Sequence, residues 1–292
     1  MRAAIATGGG NEMNASHAGS AGPPSPDATR GSDMLRRYGP WAVVTGASDG
    51  IGRAFANRLA GQGINLVLVA RREEVLTALA NELSREHGVE TMVAAADLRE
   101  RRSVDALIAR TESLDVGLLV AAAGFGGSGR FIDAELETEL DMIDVNCRAV
   151  AALSHHFGAR FARQRRGGII LLSSIVAFQG VARAANYAAT KAYVQSLAEG
   201  LRVELSPFGV EVLASAPGPV RSGFASRAQM IMGTAVEPET VARRSLAALG
   251  KTGTTRPGFL SKLLGWSLAL LPRGMRVRVM STIMGGMTSH RS

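Results

Sequence analysis

From Trp41 onward, short unbroken apolar runs alternate with stretches whose apolar residues recur at helical spacing. The runs are WAVVTG (41–46), INLVLVA (64–70), ETMVAAAD (90–97), DVGLLVAAAG (115–124), GIILLSS (168–174) and VEVLASAP (210–217). Helices are predicted between them over 51–62, about 73–87, roughly 137–164 and about 187–205. Strands that are apolar along their whole length, and not only on alternate residues, belong to a parallel sheet covered on both faces. Right-handed crossovers then give an α/β, doubly wound parallel sheet in a single domain, with its ligand at the carboxyl ends of the strands.

The flanks read differently. Residues 1–37 include GGG and AGPPSPD and lack apolar periodicity, so a disordered N-terminal tail is expected there. The tail has no apolar h-region, which argues against a signal peptide; a transit peptide stays open, weakened by Glu12, Asp27 and Asp33. The dinucleotide-binding catalytic domain is expected over 38–258. Residues 259–292 form a C-terminal apolar and basic extension. Within it Leu263 to Leu271 is apolar apart from Ser267, too short to span a bilayer, which takes about 20 residues. Flanked by Lys262, Arg273, Arg276 and Arg278, it reads as a lid, a subunit contact or a helix lying on a membrane surface.

Composition narrows the classes. A chain of 292 residues that is 46% hydrophobic can bury a sizeable core. The single cysteine, Cys147, excludes an intramolecular disulfide framework and fits a reducing, cytoplasmic setting. The five histidines show no metal-ligand spacing. Net charge is +8, yet the arginines are scattered and aromatics are only 5%, so no nucleic-acid surface is expected. A basic surface or an anionic cofactor accounts better for the basic balance.

The first strand runs directly into TGASDGIG (45–52) and then into a helix. Gly46 permits the tight turn, Gly50 lets backbone approach a diphosphate, and Gly52 lets the helix lie close to the sheet. The helix start, with the dipole behind it, suits an anion, which marks a Rossmann-type dinucleotide site. The bare alternative is a tight strand–helix turn. The second strand ends in VARREE, so Arg71 and Arg72 stand where an acidic residue would meet a free ribose 2′-OH. Two guanidiniums there suit a 2′-phosphate, hence NADP(H) over NAD(H). Glu73 and Glu74, which follow at once, fit the helix dipole and can satisfy one arginine.

In NYAATKAYV (186–194), Tyr187 and Lys191 stand four apart, on one helix face with small residues between them. A neutral phenol, with a pKa of about 10, exchanges protons poorly at neutral pH, and a fixed cation nearby is expected to lower that value. An isolated Tyr-x-x-x-Lys is more often a plain surface pair, so the pair needs further residues to mean chemistry.

Those residues are present, and together they resemble the short-chain dehydrogenases/reductases. TGASDGIG is similar to that family's TGxxxGxG loop, and Tyr187-Ala-Ala-Thr-Lys191 to its YxxxK motif. Ser174 lies thirteen residues before Tyr187, the family's spacing for the catalytic serine, and is chosen over Ser173. Asn146 in VNC resembles the family's helix asparagine, and Asp97 and Leu98 its adenine-contacting pair. PGPVRS (217–222) resembles PGxVxT, with Ser222 in the threonine place. The resemblance implies catalytic Asn146, Ser174, Tyr187 and Lys191. It also implies cofactor contacts from Ser48, Asp49 and Ile51 beside the glycines, and from Gly124, Pro217, Gly218, Val220 and Ser222. Where the family has NNAG this chain has Ala121-Ala122-Ala123-Gly124, a change expected to loosen the cofactor pocket without removing a proton-transfer group.

By resemblance, Tyr187 donates a proton to a carbonyl oxygen while NADPH gives hydride to the carbon. Lys191 keeps the phenol reactive and bonds the nicotinamide ribose, Ser174 steadies the oxygen, and Asn146 holds a water leading to solvent. Phe224, Met230, Ile231 and Met232 suggest an apolar substrate. YGPWAVVTGASDGIG, LVARR and PGFLSKLL further resemble the 17β-hydroxysteroid dehydrogenase/3-ketoacyl-CoA reductase branch, implying a steroid or a 3-oxoacyl thioester. A homodimer or homotetramer is expected by resemblance alone. The competing class is a non-catalytic nucleotide-sensing or interaction protein on the same fold.

Overall fold

The computed structural model describes residues 33–224, 235–258 and 271–288. Its centre is a seven-stranded parallel sheet in the order β3-β2-β1-β4-β5-β6-β7. The six apolar runs supply β1 (Trp41–Thr45), β2 (Asn65–Ala70), β3 (Thr91–Ala95), β4 (Val116–Ala121), β5 (Gly167–Leu172) and β6 (Val210–Ser215). A seventh strand, β7 (Thr254–Thr255), is too short to leave a pattern in the sequence. The strand order reverses between β1 and β4, which opens a crevice at the carboxyl edge there.

A first helix, α1, covers 33–38, so residues 33–37 of the expected disordered tail are helical. The tail reading failed there because the anchor lies at the segment's edge. Tyr38 is buried and donates to Glu211, and Arg37 pairs with the same carboxylate. The crossovers are α2 (Gly50–Ala60), α3 (Glu73–His87), α4 (Arg101–Arg110), α5 (Leu136–Ile143), α6 (Val150–Gln164), α7 (Ala185–Leu205) and α8 (Pro238–Ala248). The C-terminal helix is α9 (Arg273–Thr288). Charge placement fits α3 closely: Glu73 and Glu74 open it, Arg85 and His87 close it, and Gly88 caps it in the left-handed conformation. Helix α4 was not expected from the sequence because it buries only Val104 and Leu107.

The sheet is covered on both faces, as its uninterrupted apolar strands require. Val44, Leu66, Leu68, Leu118 and Ile170 pack on one side with Phe55, Leu59, Leu76 and Leu246 from the helices. Val43, Val67, Leu119, Ile169 and Val212 pack on the other with Leu107, Phe157, Phe161 and Val194. Phe55 and Leu59 are fully buried, each contributing about 1.5–3 kcal/mol of burial to holding α2 against the strands. The predicted helix over 137–164 is α5 and α6 joined by a π-helical turn at Asp144–Ala149. Such turns recur at functional sites because the widened backbone redirects side chains.

Of the C-terminal extension, 259–270 lie outside the described residues, as do Met230, Ile231 and Met232. Among the described residues, no helix is long and apolar enough to cross a membrane.

Candidate active site

The glycine loop leaves β1 and enters α2 with Gly46 in the left-handed region, φ 71°. At Gly52 a β-carbon would stand 2.2 Å from the Gly46 carbonyl oxygen, so the loop closes on itself only with glycine there. The first backbone N–H groups of α2 then point out of the helix, as an anion requires. A cavity of about 820 Å³ begins at this loop and follows the carboxyl ends of the strands to Tyr187. That volume lies in the range of small-molecule sites. Every predicted site residue except Asn146 lines it.

Arg71 and Arg72 are exposed on the cavity wall at the end of β2. Arg72 reaches back over the glycine loop, donating to Ser48 Oγ at 3.2 Å and to the Ser48 carbonyl oxygen at 3.4 Å. Beside them Asp97 is gripped by Arg99, whose Nε lies 3.0 Å from each carboxylate oxygen and whose Nη2 lies 2.6 Å from Oδ2. Arg99 Nη1 holds Asp141 of α5 at 2.7 Å. The Arg99 hydrogen bonds hold the Asp97 carboxyl below its usual range against the opposing effect of burial, and the Arg71 charge adds to the lowering. The same two carboxylates push the Arg99 guanidinium upward. Arg99 and Asp141 also line the cavity, and no sequence motif flagged either one.

The Ala121–Gly124 segment keeps a tie to β1. The Ala123 N–H donates to Thr45 Oγ1 at 3.0 Å, tying the end of β4 to β1 without an asparagine. Just beyond, Asn146 reaches out of the π-turn. Its Oδ1 accepts from the Phe125 N–H (3.1 Å), and its Nδ2 donates to the Phe125 carbonyl (2.9 Å) and to Thr190 Oγ1 (3.1 Å). Asn146 is fully buried behind the cavity wall, bracing the loop after β4 against α7. Cys147, its neighbour, donates weakly to the Thr190 carbonyl at 3.8 Å, and burial pushes its thiol up against the influence of the Lys191 charge.

Tyr187 and Lys191 share one face of α7. Lys191 is buried, and its Nζ donates to the Leu172 carbonyl at 2.8 Å while lying 5.8 Å from the Tyr187 ring centre. Desolvation lowers Lys191 from 10.5 to about 8. The tyrosine does not follow the sequence-based expectation. Burial raises its phenol from 10.0 to about 12, and the lowering influence is a hydrogen bond with Ser174, not the lysine. The physical reason is direction: the ammonium is aimed at the Leu172 carbonyl. Ser174 also caps the short 3₁₀ turn Ile175–Phe178, accepting from the Val176 N–H at 3.4 Å. Ser173 instead donates to the Lys191 backbone carbonyl at 3.2 Å, which separates the roles of the two serines.

Around the phenol the cavity is apolar. Phe224 tilts against the Tyr187 ring with centroids 5.5 Å apart. Met280 of α9 packs with Ile175, Val176, Ala184 and Ala188, and Ile283 lies beside it; both line the cavity. Val277, Met280 and Ile283 recur every three residues, a helical stripe that was readable in the sequence but hidden among arginines.

Comparison with known proteins agrees with this geometry. The family model described as short chain dehydrogenase matches residues 40–230. A 7beta-hydroxysteroid dehydrogenase of Collinsella aerofaciens is 31% identical over 232 residues, covering 75% of this chain and 86% of that protein. A very-long-chain 3-oxoacyl-CoA reductase of Anas platyrhynchos is 32% identical over 239 residues, covering 80% of this chain and 76% of that one. Among solved structures, a short-chain dehydrogenase from Sphingobium yanoikuyae in complex with NADPH superimposes with a TM-score of 0.71. It is 31% identical and covers 80% of this chain and 97% of its own.

Proposed function

This chain belongs to the short-chain dehydrogenase family, and from that premise we propose that it is an NADP(H)-dependent oxidoreductase interconverting a ketone and a secondary alcohol on an apolar substrate. The observation that carries the proposal is the meeting of Tyr187, Ser174 and Lys191 on one cavity wall, between the glycine loop and the apolar surface made by Phe224, Met280 and Ile283. The cavity fits a dinucleotide: a glycine loop folded so closely at Gly52 that a β-carbon there would strike the Gly46 carbonyl, then Arg71 and Arg72 one strand away for a 2′-phosphate. NADPH, when bound, supplies the hydride.

The chain's own residues handle the proton. Burial keeps the Tyr187 phenol protonated at working pH, so it holds the proton destined for the carbonyl oxygen, and the Ser174 hydrogen bond, which works against that rise, eases its release as the carbon is reduced. Ser174 steadies that oxygen and, through its hydrogen bond, the phenolate left behind. Lys191, lowered by desolvation, lies 5.8 Å from the Tyr187 ring centre and sets a cation beside the charge left on the phenolate. Asn146 acts by fixing the loop at Gly124–Phe125 and Thr190, one residue before Lys191. Oxidation runs the same steps backward.

The apolar wall supports a steroid or a long-chain 3-oxoacyl thioester, the substrates named for the two relatives above. The exposed apolar stripe Leu136, Leu140 and Ile143 on α5, with Tyr193 on α7, supports a homodimer or homotetramer. The single cysteine supports a reducing, cytoplasmic setting, and the arginines of α9 leave room for contact with a membrane surface. The deciding experiment follows NADPH and NADH oxidation side by side over a panel of steroid ketones, 3-oxoacyl thioesters and small ketones. Turnover of an apolar ketone with NADPH is expected. No turnover of any ketone with either cofactor, despite tight NADPH binding, would move the chain to the nucleotide-sensing class.

A further inference from the structure

The sheet register brings Arg71 and Asp97 to one place. The Ala96 N–H donates to the Ala70 carbonyl at 2.9 Å, so β2 and β3 stay paired to their ends, and Arg71 and Asp97 leave adjacent strands near enough for the Arg71 charge to act on the Asp97 carboxyl. Both line the cavity. A carboxylate so placed opposes any arginine that is to receive a phosphate: it competes for the guanidinium and repels the anion. Asp141, from α5, lines the same cavity and adds a second carboxylate.

Arg99 resolves that conflict. It engages both oxygens of Asp97 at 2.6–3.0 Å and Asp141 at 2.7 Å, so one guanidinium serves both carboxylates. It is held in turn: Arg148 donates to the Arg99 carbonyl and pairs with Asp144 at 3.1 Å. Resting on the NADP(H) reading above, we propose that Arg99 sets the preference for NADP(H) over NAD(H), acting through Asp97 to leave Arg71 for the 2′-phosphate. Arg99 is thus a positioning residue, and the expected contrast between cofactors follows from charge. NAD(H) has no 2′-phosphate, so the charge on Asp97 bears on it far less.

The test is binding, read by calorimetry with NADP⁺ and NAD⁺ on the full chain. In Arg99→Gln, NADP⁺ should weaken roughly 5–20-fold, the size of one uncompensated charge at about 10 Å near a protein surface. NAD⁺ should change less than about twofold on the same electrostatic grounds. Asp97→Asn placed in that background should restore NADP⁺ affinity, which repair of a purely structural brace would not do. Asp97→Asn alone, which keeps Arg99 and leaves no carboxylate to mask, should retain the NADP⁺ preference and serves as the reading if Arg99→Gln fails to fold. Equal weakening of both dinucleotides in Arg99→Gln, no rescue by Asp97→Asn, or loss of preference in Asp97→Asn alone would overturn the proposal. A wild-type chain that binds neither dinucleotide overturns the oxidoreductase reading as well. A wild-type preference for NADP⁺ that Arg99→Gln leaves at its full size overturns only this inference.

Discussion

The side-chain oxygen of Asn146 lies 2.8 Å from the point where a β-carbon on Gly124 would stand, with Lys191 Nζ 3.4 Å from it. The oxygen has little room to retreat, because it accepts from the Phe125 N–H and its amide is tied to Thr190. Gly124→Ala should therefore push the loop, the asparagine and the lysine apart. A displacement of that kind costs roughly 10–100-fold in turnover, and overpacking costs about 1–3 kcal/mol in stability. Steady-state kinetics with NADPH and a urea melt check both, and values close to wild type would show that Asn146 yields freely.

Tyr187→Phe removes the proton donor but keeps the ring that packs on Phe224. Turnover should fall about 10²–10⁴-fold, the usual contribution of a positioned acid, with NADPH affinity nearly unchanged. Ser174→Ala should give a smaller loss, roughly tenfold or more, by removing one stabilising donor. Ser173→Ala removes a hydroxyl that donates to the Lys191 backbone carbonyl and should leave turnover near wild type. If Ser173→Ala proves the more damaging, the two serines have been assigned the wrong way round.

Much of this was legible in the chain because the relevant constraints are local. The strands declared themselves by unbroken apolar runs, and the glycine loop by the close approach seen at Gly52. Long-range effects were not legible. That Lys191 points to Leu172, leaving burial to govern the phenol, depends on β5 lying beneath α7. Arg99 looked like one arginine in the run RERR, and only the approach of α5 gives it a second carboxylate. The bracing of Ala123 by Thr45 likewise joins residues 78 positions apart, so a tie that stands without the family's asparagines could not be read from the sequence.

The buried lysine gives a pH signature in stability. Its folded value of about 8 lies below the ordinary 10.5, so between the two the unfolded chain binds more protons. Stability from this group therefore rises with pH across that window and is flat below about pH 8. Tyr187 has the opposite sign, raised from 10.0 to about 12, and its contribution falls as pH climbs from about 10 toward 12. Replacing the ammonium by an apolar chain of similar length isolates the first effect. The stability difference between Lys191→Met and wild type should favour the variant most below pH 8 and shrink toward pH 10. Urea denaturation at pH 7.5 and pH 10 measures it, and a difference independent of pH would mean that the lysine titrates normally.

The apolar wall should decide which ketones are accepted. Met280 is buried on α9 against Ile175, Val176 and Ala188, on the same side of the cavity as the tyrosine. Met280→Ala opens space beside the phenol at a stability cost of about 2–5 kcal/mol if the site cannot collapse, less if α9 settles inward. The kcat/KM ratio of a bulky ketone to a small one should rise several-fold, since a methylene or two in an apolar pocket shifts discrimination by roughly 10-fold or more. Met280→Trp should move the ratio the other way while NADPH affinity holds, because Met280 lies at the end of the cavity away from the glycine loop. Ile283→Ala removes as many heavy atoms from the same stripe but from a half-buried side chain, so it should repeat the first effect with less loss of stability. If all three variants keep the wild-type ratio across a graded series of ketones, the C-terminal helix covers the core without touching the substrate.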